Sequence, residues 1–164
     1  MSEPTNLNGA TFCTTNSLLT TVDAETVHDT TAALLYCIRG KAYTKSGTNA
    51  DQDTPTMDYN TGLVFRTITG TALDGEASVF VWGYTSGGVV KVVQGEIVKT
   101  DVAGNVLTAP EFPSIPDDIC PFAYSVVKMY GSAATCVFGT TNWSAITSIV
   151  NVNIMSLPNR PQVS

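Results

Sequence analysis

The only histidine of the chain is the residue best suited to acid–base chemistry. His28 stands next to Asp29, and a histidine held by an acid could activate a serine as a nucleophile. The sequence alone does not exclude a Ser–His–Asp arrangement in the folded protein. The G-x-S-x-G pattern, which presents a nucleophilic serine on a sharp turn, does not occur in the sequence. We therefore expect His28 to be a surface or interface residue and the protein not to be an enzyme.

Two groups of acidic residues could bind a cation. Asp51-Gln52-Asp53 resembles the start of a calcium-binding loop, but the glycine at the sixth position and the closing glutamate are absent. Asp117 and Asp118 are adjacent, and consecutive residues of a strand point to opposite faces. Aspartate also stabilises turns by accepting hydrogen bonds from nearby backbone. We expect a solvated loop at 51–53, a turn at 117–118, and neither a metal nor a cofactor.

The two tryptophans could stack against sugar rings. Trp82 lies in an apolar run and is predicted to be buried, whereas Trp143 lies in a loop rich in Gly, Asn and Thr. Trp143 is thus the better surface candidate, and Tyr130 or Tyr59 would be its aromatic neighbours in a sugar site. Because aromatic residues are enriched at protein interfaces, we expect Trp143 to anchor a protein partner.

The cysteines are too widely spaced for a metal-binding or redox motif. None is part of a C-x-x-C pattern, and the chain is neither short nor rich in cysteine. We expect buried thiols rather than a disulfide framework at Cys13, Cys37, Cys120 and Cys136. Cys120 and Cys136 flank a predicted hairpin, so they are the pair to check for a bridge.

The composition excludes some classes of partner. Charged residues make up 13% of the 164 residues, about half the usual share of a soluble domain. The net charge is −6 and no basic patch occurs, so we expect no binding to nucleic acid, which depends on neutralising phosphates. No apolar run has the length of a membrane span and no signal peptide is recognisable. A surface so poor in charge suits burial against copies or partners.

The apolar pattern is that of strands. We predict seven to nine of them and no helix, from alternating or continuous apolar runs between turn signals. One long strand is predicted over residues 31–45 with Gly40 as a bulge or crossing point, followed by a polar loop over 46–60. Further strands are predicted at 62–69, 77–84, 89–99 with a bulge at Gln94-Gly95, 122–130, 135–138 as the return of a hairpin, and 146–155.

One domain accounts for the whole pattern. The fold class is all-β, with a single β-sandwich or jelly-roll-like domain over residues 31–164 that ends in an extended C-terminal tail. Residues 1–30 contain few apolar side chains and are predicted to form an extended N-terminal arm that lies along another surface. We expect the domain to fold without residues 1–28.

Ordered short motifs resemble the virion structural proteins of tailed bacteriophages. The resemblance covers residues 31–162, and its motifs are YCIRGKAYTK at 36–45, SVFVWG at 78–83, VVQGE at 92–96, PEFPSIPDD at 110–118, PFAY at 121–124, FG with NW at 138–143, and LPNRPQ at 157–162. Within that class, the chain is most similar to a capsid decoration, or cement, protein. The resemblance implies a β-rich homotrimer on the particle.

The resemblance also implies partners and a location. The protein would be made in the bacterial host cytoplasm and bind the major capsid protein at the outer surface of the virion, where it would brace the joints between subunits. The arm would add a strand to neighbouring subunits. The residues expected to form the partner interface are Leu18, Leu19, Phe112, Ile115, Phe122, Trp143 and Arg160.

Two other functions stay open. A component of a tail or head fibre, or an adaptor for one, would share the strands and the threefold symmetry, but it usually needs an added shaft or tip domain. A carbohydrate-binding module would need exposed aromatic rings in a row, for which Trp143 is the main candidate.

Overall fold

The computed structural model describes residues 10–21, 24–30, 33–47 and 49–155, and they form an all-β domain, as predicted. The N-terminal nine residues and the predicted tail with Arg160 lie outside the described residues. No helix in the described ranges is long and apolar enough to cross a membrane. The strands are β1 Phe12–Cys13, β2 Leu19–Thr21, β3 Val27–Thr30, β4 Leu34–Ile38, β5 Lys41–Lys45, β6 Asn49–Asp53, β7 Ile68–Gly70, β8 Asp74–Thr85, β9 Val90–Gln94, β10 Val98–Asp101, β11 Ile119–Tyr130, β12 Ala134–Cys136 and β13 Ser148–Asn153.

A five-stranded antiparallel sheet forms the centre of the domain. Its long strands β8 and β11 pair along almost their whole length, and β13 adds to the outer edge of β11. Strands β9 and β10 both pair with the other edge of β8. Three smaller antiparallel sheets, β1-β4-β5, β2-β3-β6 and β7-β12, complete the described part of the chain. Several antiparallel sheets of this kind are consistent with the predicted β-sandwich.

The central sheet is apolar on both faces. Along β8, Phe80 and Trp82 point into the main core, which the smaller sheets also line, while Val79 and Val81 point to the opposite face. All four are fully buried. This arrangement follows from the strand period of two and confirms the burial on both faces that the continuous apolar run predicts.

Two bulges bend this sheet. Gln94 pairs with Phe80 but Val98 pairs with Ala77, so the edge strand carries one extra residue where Gln94-Gly95 predicted a bulge. A second register shift follows Pro121 in β11. A proline cannot donate a hydrogen bond within a sheet, and a bulge is one of the few places where a strand tolerates it.

The predicted long strand over residues 31–45 is instead a hairpin of β4 and β5. Arg39 and Gly40 both have positive φ, 49° and 76°, as a two-residue type I′ turn requires. The reversal places Tyr36 opposite Tyr43, and their rings stack at 5.7 Å. A continuous strand would have pointed these two tyrosines to opposite faces, so the prediction of a bulge at Gly40 was wrong.

The predicted polar loop over residues 46–60 contains a strand. Strand β6 pairs with β3, and a register shift separates the pairing of His28 from that of Thr30. Asp51, which has a φ of 51°, donates its backbone N–H to Oδ1 of Asp29 at 2.7 Å. That side chain replaces a backbone partner at the irregular position, which explains how so polar a segment joins a sheet.

Residues 10–21 and 24–30 are extended but belong to the domain. Strand β1 pairs with β4, and the backbone N–H of Cys13 donates to the carbonyl of Met155 at 2.8 Å. Leu19 is buried in the main core, and its N–H donates to Oδ1 of Asn153 at 2.8 Å. The segment therefore contributes Cys13 and Leu19 to the main core, and the folding of the domain without residues 1–28 stays a prediction.

The predicted hairpin return at 135–138 does not pair with β11. Strand β12 pairs with β7 instead, with Thr135 opposite Thr69. The two strands are more than sixty positions apart in the sequence, so the turn signal at Gly131 gave no information about the true partner.

Candidate binding surfaces

The proline segment, residues 110–116, covers the second face of the central sheet. Phe112 and Ile115 are half-buried and pack against the cluster of Val79, Val81, Tyr124, Val126 and Ile154. The Phe112 ring meets the Tyr124 ring edge-on, at 5.0 Å and 80°. Phe112 and Ile115 thus bind the domain itself, and only their exposed parts remain for a partner.

Trp143 is a core residue, so its predicted surface position is corrected. It is 3% exposed and lies in the 3₁₀ turn Trp143–Ala145. The indole Nε1 donates to the carbonyl of Val27 at 2.6 Å, and the ring meets Phe138 edge-on at 5.3 Å. The polar neighbours of Trp143 in the sequence indicated a surface position, but its hydrogen-bond acceptor lies 116 positions away in the sequence.

Two other predicted interface residues are also buried. Phe122 is fully buried and stacks on Tyr84 at 4.4 Å, because the bulge after Pro121 turns it toward the main core. Leu19 lies in the same core, whereas its neighbour Leu18 is half exposed. Of the predicted interface set, Leu18 and the partly exposed Phe112 and Ile115 remain available at the described surface.

Residues 55–65 form an exposed apolar surface, the apolar hairpin, which the sequence pattern did not predict. Met57, Leu63 and Val64 are 57%, 68% and 59% exposed, and Met57 pairs with Val64 across the hairpin. The segment was predicted to be a loop and a separate strand. Isolated apolar residues on either side of the turn are the sequence signal that could have indicated this hairpin.

The apolar hairpin is fixed to the central sheet. The backbone N–H of Tyr59 donates to the carbonyl of Val92 at 2.9 Å. The carboxylate of Asp58, itself buried, accepts from the backbone N–H of Gln94 at 3.1 Å and from the Thr61 hydroxyl at 2.9 Å. A cleft of about 420 Å³ lies between this hairpin and Lys91. The apolar side chains are therefore presented on a held backbone.

A second cleft, of about 430 Å³, is polar. This polar cleft lies between strands β3 and β6 and the turn from β8 to β9, and residues 87–90 form one wall. Its polar lining consists of His28, Thr30, Lys45, Asn49, Gln52 and Asp53.

His28 is buried at this cleft, which corrects its predicted surface position. It is 1% exposed, and its ring packs 5.0 Å from that of Trp82. Nδ1 lies 3.4 Å from the Thr54 hydroxyl, while Nε2 has no hydrogen-bond partner in the described part of the chain. Burial lowers the pKa of His28 to about 4, against the opposing effects of Asp29, the Gln52 carbonyl and Asp53.

The described residues do not bring a catalytic triad or a metal site together. Thr54, rather than a serine or an aspartate, is the side chain within hydrogen-bond distance of the His28 ring. No three His, Cys, Asp or Glu residues of the described ranges are grouped as metal ligands. Asp117 pairs with Arg39 at 3.3 Å and Asp118 accepts from the Tyr59 hydroxyl at 2.7 Å, so the adjacent acids serve different contacts.

All four cysteines are buried and free, as predicted. The thiol next to Cys120 is that of Cys13, with the two sulfurs 3.5 Å apart, and not that of Cys136. Burial and the hydrogen bond to Cys120 raise the pKa of Cys13 far above its usual range. Burial raises the pKa of Cys136 to about 11. Cys13 and Cys136 are therefore not ionised at neutral pH, and burial shields all four thiols from reagents.

No family model, curated protein or solved structure matches this chain.

Proposed function

We propose that the chain is a structural protein of a tailed-bacteriophage particle, which binds the outer surface of the capsid as a homotrimer and stabilises it as a decoration protein. The sequence motifs that resemble those of phage virion proteins suggest the class of protein. The observation that carries a binding role is the apolar hairpin.

The apolar hairpin has the properties of a protein-binding surface. Three large apolar side chains are more than half exposed within eight residues, and a cluster of this kind commonly marks an interaction site. Burying each of them against a partner would contribute roughly 1.5–3 kcal/mol. Because the hairpin backbone is already hydrogen-bonded to the central sheet, little conformational entropy is lost on binding.

Assembly as a trimer would strengthen binding beyond what one copy of the contact surface provides. Identical subunits around one axis present the same surface to each equivalent position of a capsid, and linked binding events gain from a high effective concentration. The major capsid protein is the proposed partner. A particle position on the tail or on a fibre is the alternative, with the same apolar surface engaged.

Labelling of intact virions tests the location. Particles of the phage that encodes the chain are incubated with gold-conjugated antibody to it. Gold over the whole head supports the proposal. Gold confined to the tail or to a single vertex overturns the decoration role in favour of a fibre or adaptor component, and the absence of gold overturns the proposal of an exposed virion protein.

A substitution tests the surface. The triple variant Met57→Ser, Leu63→Ser, Val64→Ser should bind undecorated heads about 100-fold more weakly, because interface anchors of this kind cost about 1 kcal/mol or more each. Binding is measured by co-sedimentation with heads, and the purified protein should elute at about three times the 17.3 kDa chain mass.

Leu73→Ser is the matched control. Leu73 is 84% exposed and precedes β8, whereas the apolar hairpin bonds to β9 beside the far end of β8. Equal binding by the triple variant and the wild type would show that the apolar hairpin is not the contact surface.

A further inference from the structure

Two buried thiols from distant parts of the chain are in contact. Sγ of Cys13 lies 3.5 Å from Sγ of Cys120, although 107 positions separate the two residues in the sequence. Cys13 belongs to β1 and Cys120 to β11, which are strands of different sheets. Both residues are almost completely buried. The fold therefore brings together two side chains that the sequence keeps far apart.

The backbone on both sides holds these sulfurs in place. Cys13 lies opposite Tyr36 of β4, and its Sγ is also 3.2 Å from the carbonyl oxygen of Pro121. Cys120 lies opposite Tyr84 in the central sheet. A disulfide requires the two sulfurs to be about 2.0 Å apart, so they would have to approach each other by roughly 1.5 Å. Rotation of the two side chains can supply this movement.

The other two cysteines do not compete for this contact. Cys37 follows Tyr36 in β4, and neighbouring residues of a strand point to opposite faces of the sheet. Because Cys13 lies opposite Tyr36, the side chain of Cys37 points away from it. Cys136 belongs to β12, and its thiol has the Thr141 side chain as a hydrogen-bond partner. Cys13 and Cys120 are therefore the pair that the fold places for a disulfide.

We propose that Cys13 and Cys120 are an oxidative modification site, at which an intramolecular disulfide attaches strand β1 covalently to the central sheet. The cytoplasm keeps thiols reduced, whereas an extracellular medium oxidises them, so the bond would form after the protein leaves a cell. The proposal concerns the isolated chain and does not depend on attachment to a capsid.

The oxidant is a small disulfide such as oxidised glutathione. The thiolate of one cysteine attacks a glutathione sulfur and releases one glutathione thiolate, which leaves a mixed disulfide on the protein. The second cysteine thiolate then attacks the protein sulfur of that mixed disulfide and releases the second glutathione thiolate. The two protein thiols lose two protons and two electrons in all, and one oxidised glutathione becomes two reduced glutathione molecules.

Because both sulfurs are buried, the oxidant reaches them when β1 separates from β4. Strand β1 has two residues, so its local opening should require less free energy than unfolding of the whole domain. The disulfide would prevent this opening. It would also close a loop that spans 107 positions, and the constraint that a disulfide places on the unfolded chain grows with the length of the loop.

Oxidation of the purified full chain tests the pair. The reduced protein is equilibrated with mixtures of oxidised and reduced glutathione in urea just below its unfolding transition, which permits local opening. Peptide mapping by mass spectrometry then identifies the joined cysteines. The bond should join Cys13 to Cys120 within one chain and leave the other two thiols free. Four free thiols, or a bond that involves Cys37 or Cys136, would overturn the proposal.

The folded protein should favour this bond more strongly than the unfolded chain does. The equilibrium constant for oxidation by glutathione should be about 30- to 700-fold larger in the folded protein than in concentrated urea, if the bond stabilises the fold as native disulfides do. The oxidised protein should also unfold at a temperature roughly 5–15 °C higher than the reduced protein. Equal equilibrium constants, or a lower unfolding temperature after oxidation, would contradict the proposal.

Cys136→Ser is the matched control for Cys13→Ser, because both cysteines are buried in the main core. Oxidised glutathione should raise the unfolding temperature of Cys136→Ser as it does that of the wild type, and it should leave that of Cys13→Ser unchanged. The opposite pattern would assign the bond to Cys136. If a variant does not fold, the peptide map of the wild type still decides which cysteines are joined.

Discussion

His28 is held uncharged at neutral pH by its burial against Trp82. Above pH 6.5 the ring is neutral in both the folded and the unfolded chain. As the pH falls from about 6.5 to about 4, the unfolded chain takes up a proton that the folded protein excludes. The folded state therefore loses stability over this window, and the loss is complete below about pH 4.

Acid should destabilise the protein through this residue by about 3.5 kcal/mol at most, since the pKa falls from 6.5 to about 4 and one pKa unit corresponds to about 1.4 kcal/mol. His28→Gln removes the titrating ring and keeps a polar side chain. The variant should lose less stability between pH 7 and pH 4 than the wild type, as measured by urea unfolding at each pH.

Carboxylates that titrate in both proteins contribute equally to the two pH profiles of stability, so the difference between the profiles isolates the effect of His28. Glu76, whose pKa the Lys99 ammonium and the Thr69 N–H lower against the effect of burial, is one of them. An identical pH dependence of unfolding in the wild type and the variant would show that His28 is protonated without cost in the folded state.

Single residues were predictable where local pattern decides their environment. Trp82 was assigned to the core because its neighbours are apolar, and it is fully buried. His28 and Trp143 have polar neighbours in the sequence, and both are buried because distant groups, the Trp82 ring and the Val27 carbonyl, pack or bond with them. The residues adjacent to them in the sequence give no information about those contacts.

At the scale of elements, glycines with positive φ fix where the chain turns. Gly139 and Gly62 have nearly the same φ, 69° and 68°. A β-carbon on Gly139 would collide with the backbone carbonyl oxygen of Pro55, where the apolar hairpin begins, but a β-carbon on Gly62 would meet nothing. The two glycines therefore have the same backbone conformation but differ in the room available for a side chain.

This difference predicts unequal costs for the same substitution. Gly62→Ala should lower the free energy of unfolding by about 1–2 kcal/mol, the cost of left-handed backbone. Gly139→Ala should lower it by about 2 kcal/mol more, because a backbone clash must also be relieved. Chemical denaturation of both variants measures the effect, and similar losses would mean that the contact between Gly139 and Pro55 yields easily.

Elements were predictable where they are long and wrongly predicted where a short turn lacks a recognisable sequence signal. The apolar run of β8 and the bulge at Gln94-Gly95 follow from the sequence. The hairpin at Arg39 and Gly40 does not, because Arg-Gly is not one of the Asn-Gly or Asp-Gly pairs that mark such a turn. The sequence also lacks the information that β12 pairs with β7.

At the scale of the whole molecule, the N-terminal segment is part of the domain. Leu19 and Leu18 are neighbours, yet the first is 3% exposed and the second 50%. Leu19 lies in the same core as residues of β4, β8 and β11. The segment therefore contributes to the stability of the whole domain.

A pair of adjacent substitutions tests this role. Leu19→Ala should lower the free energy of unfolding by about 2–5 kcal/mol, as buried leucines do. Leu18→Ala should change it by no more than about 0.5 kcal/mol, as surface substitutions do. Thermal unfolding followed by circular dichroism measures both, and two small effects would mean that the segment is an appendage after all.

The hydrogen bond from Cys13 to Met155 joins the beginning of the described chain to its end. During synthesis, β1 and β2 leave the ribosome before the other strands, and the carbonyl of Met155 follows Cys13 by more than 140 residues. The side chain of Leu19 stays exposed to solvent until the later strands of its core have been made. Because pairing over such separations is slow and leaves apolar surface open, the newly made chain depends on protection from aggregation until its last strands arrive.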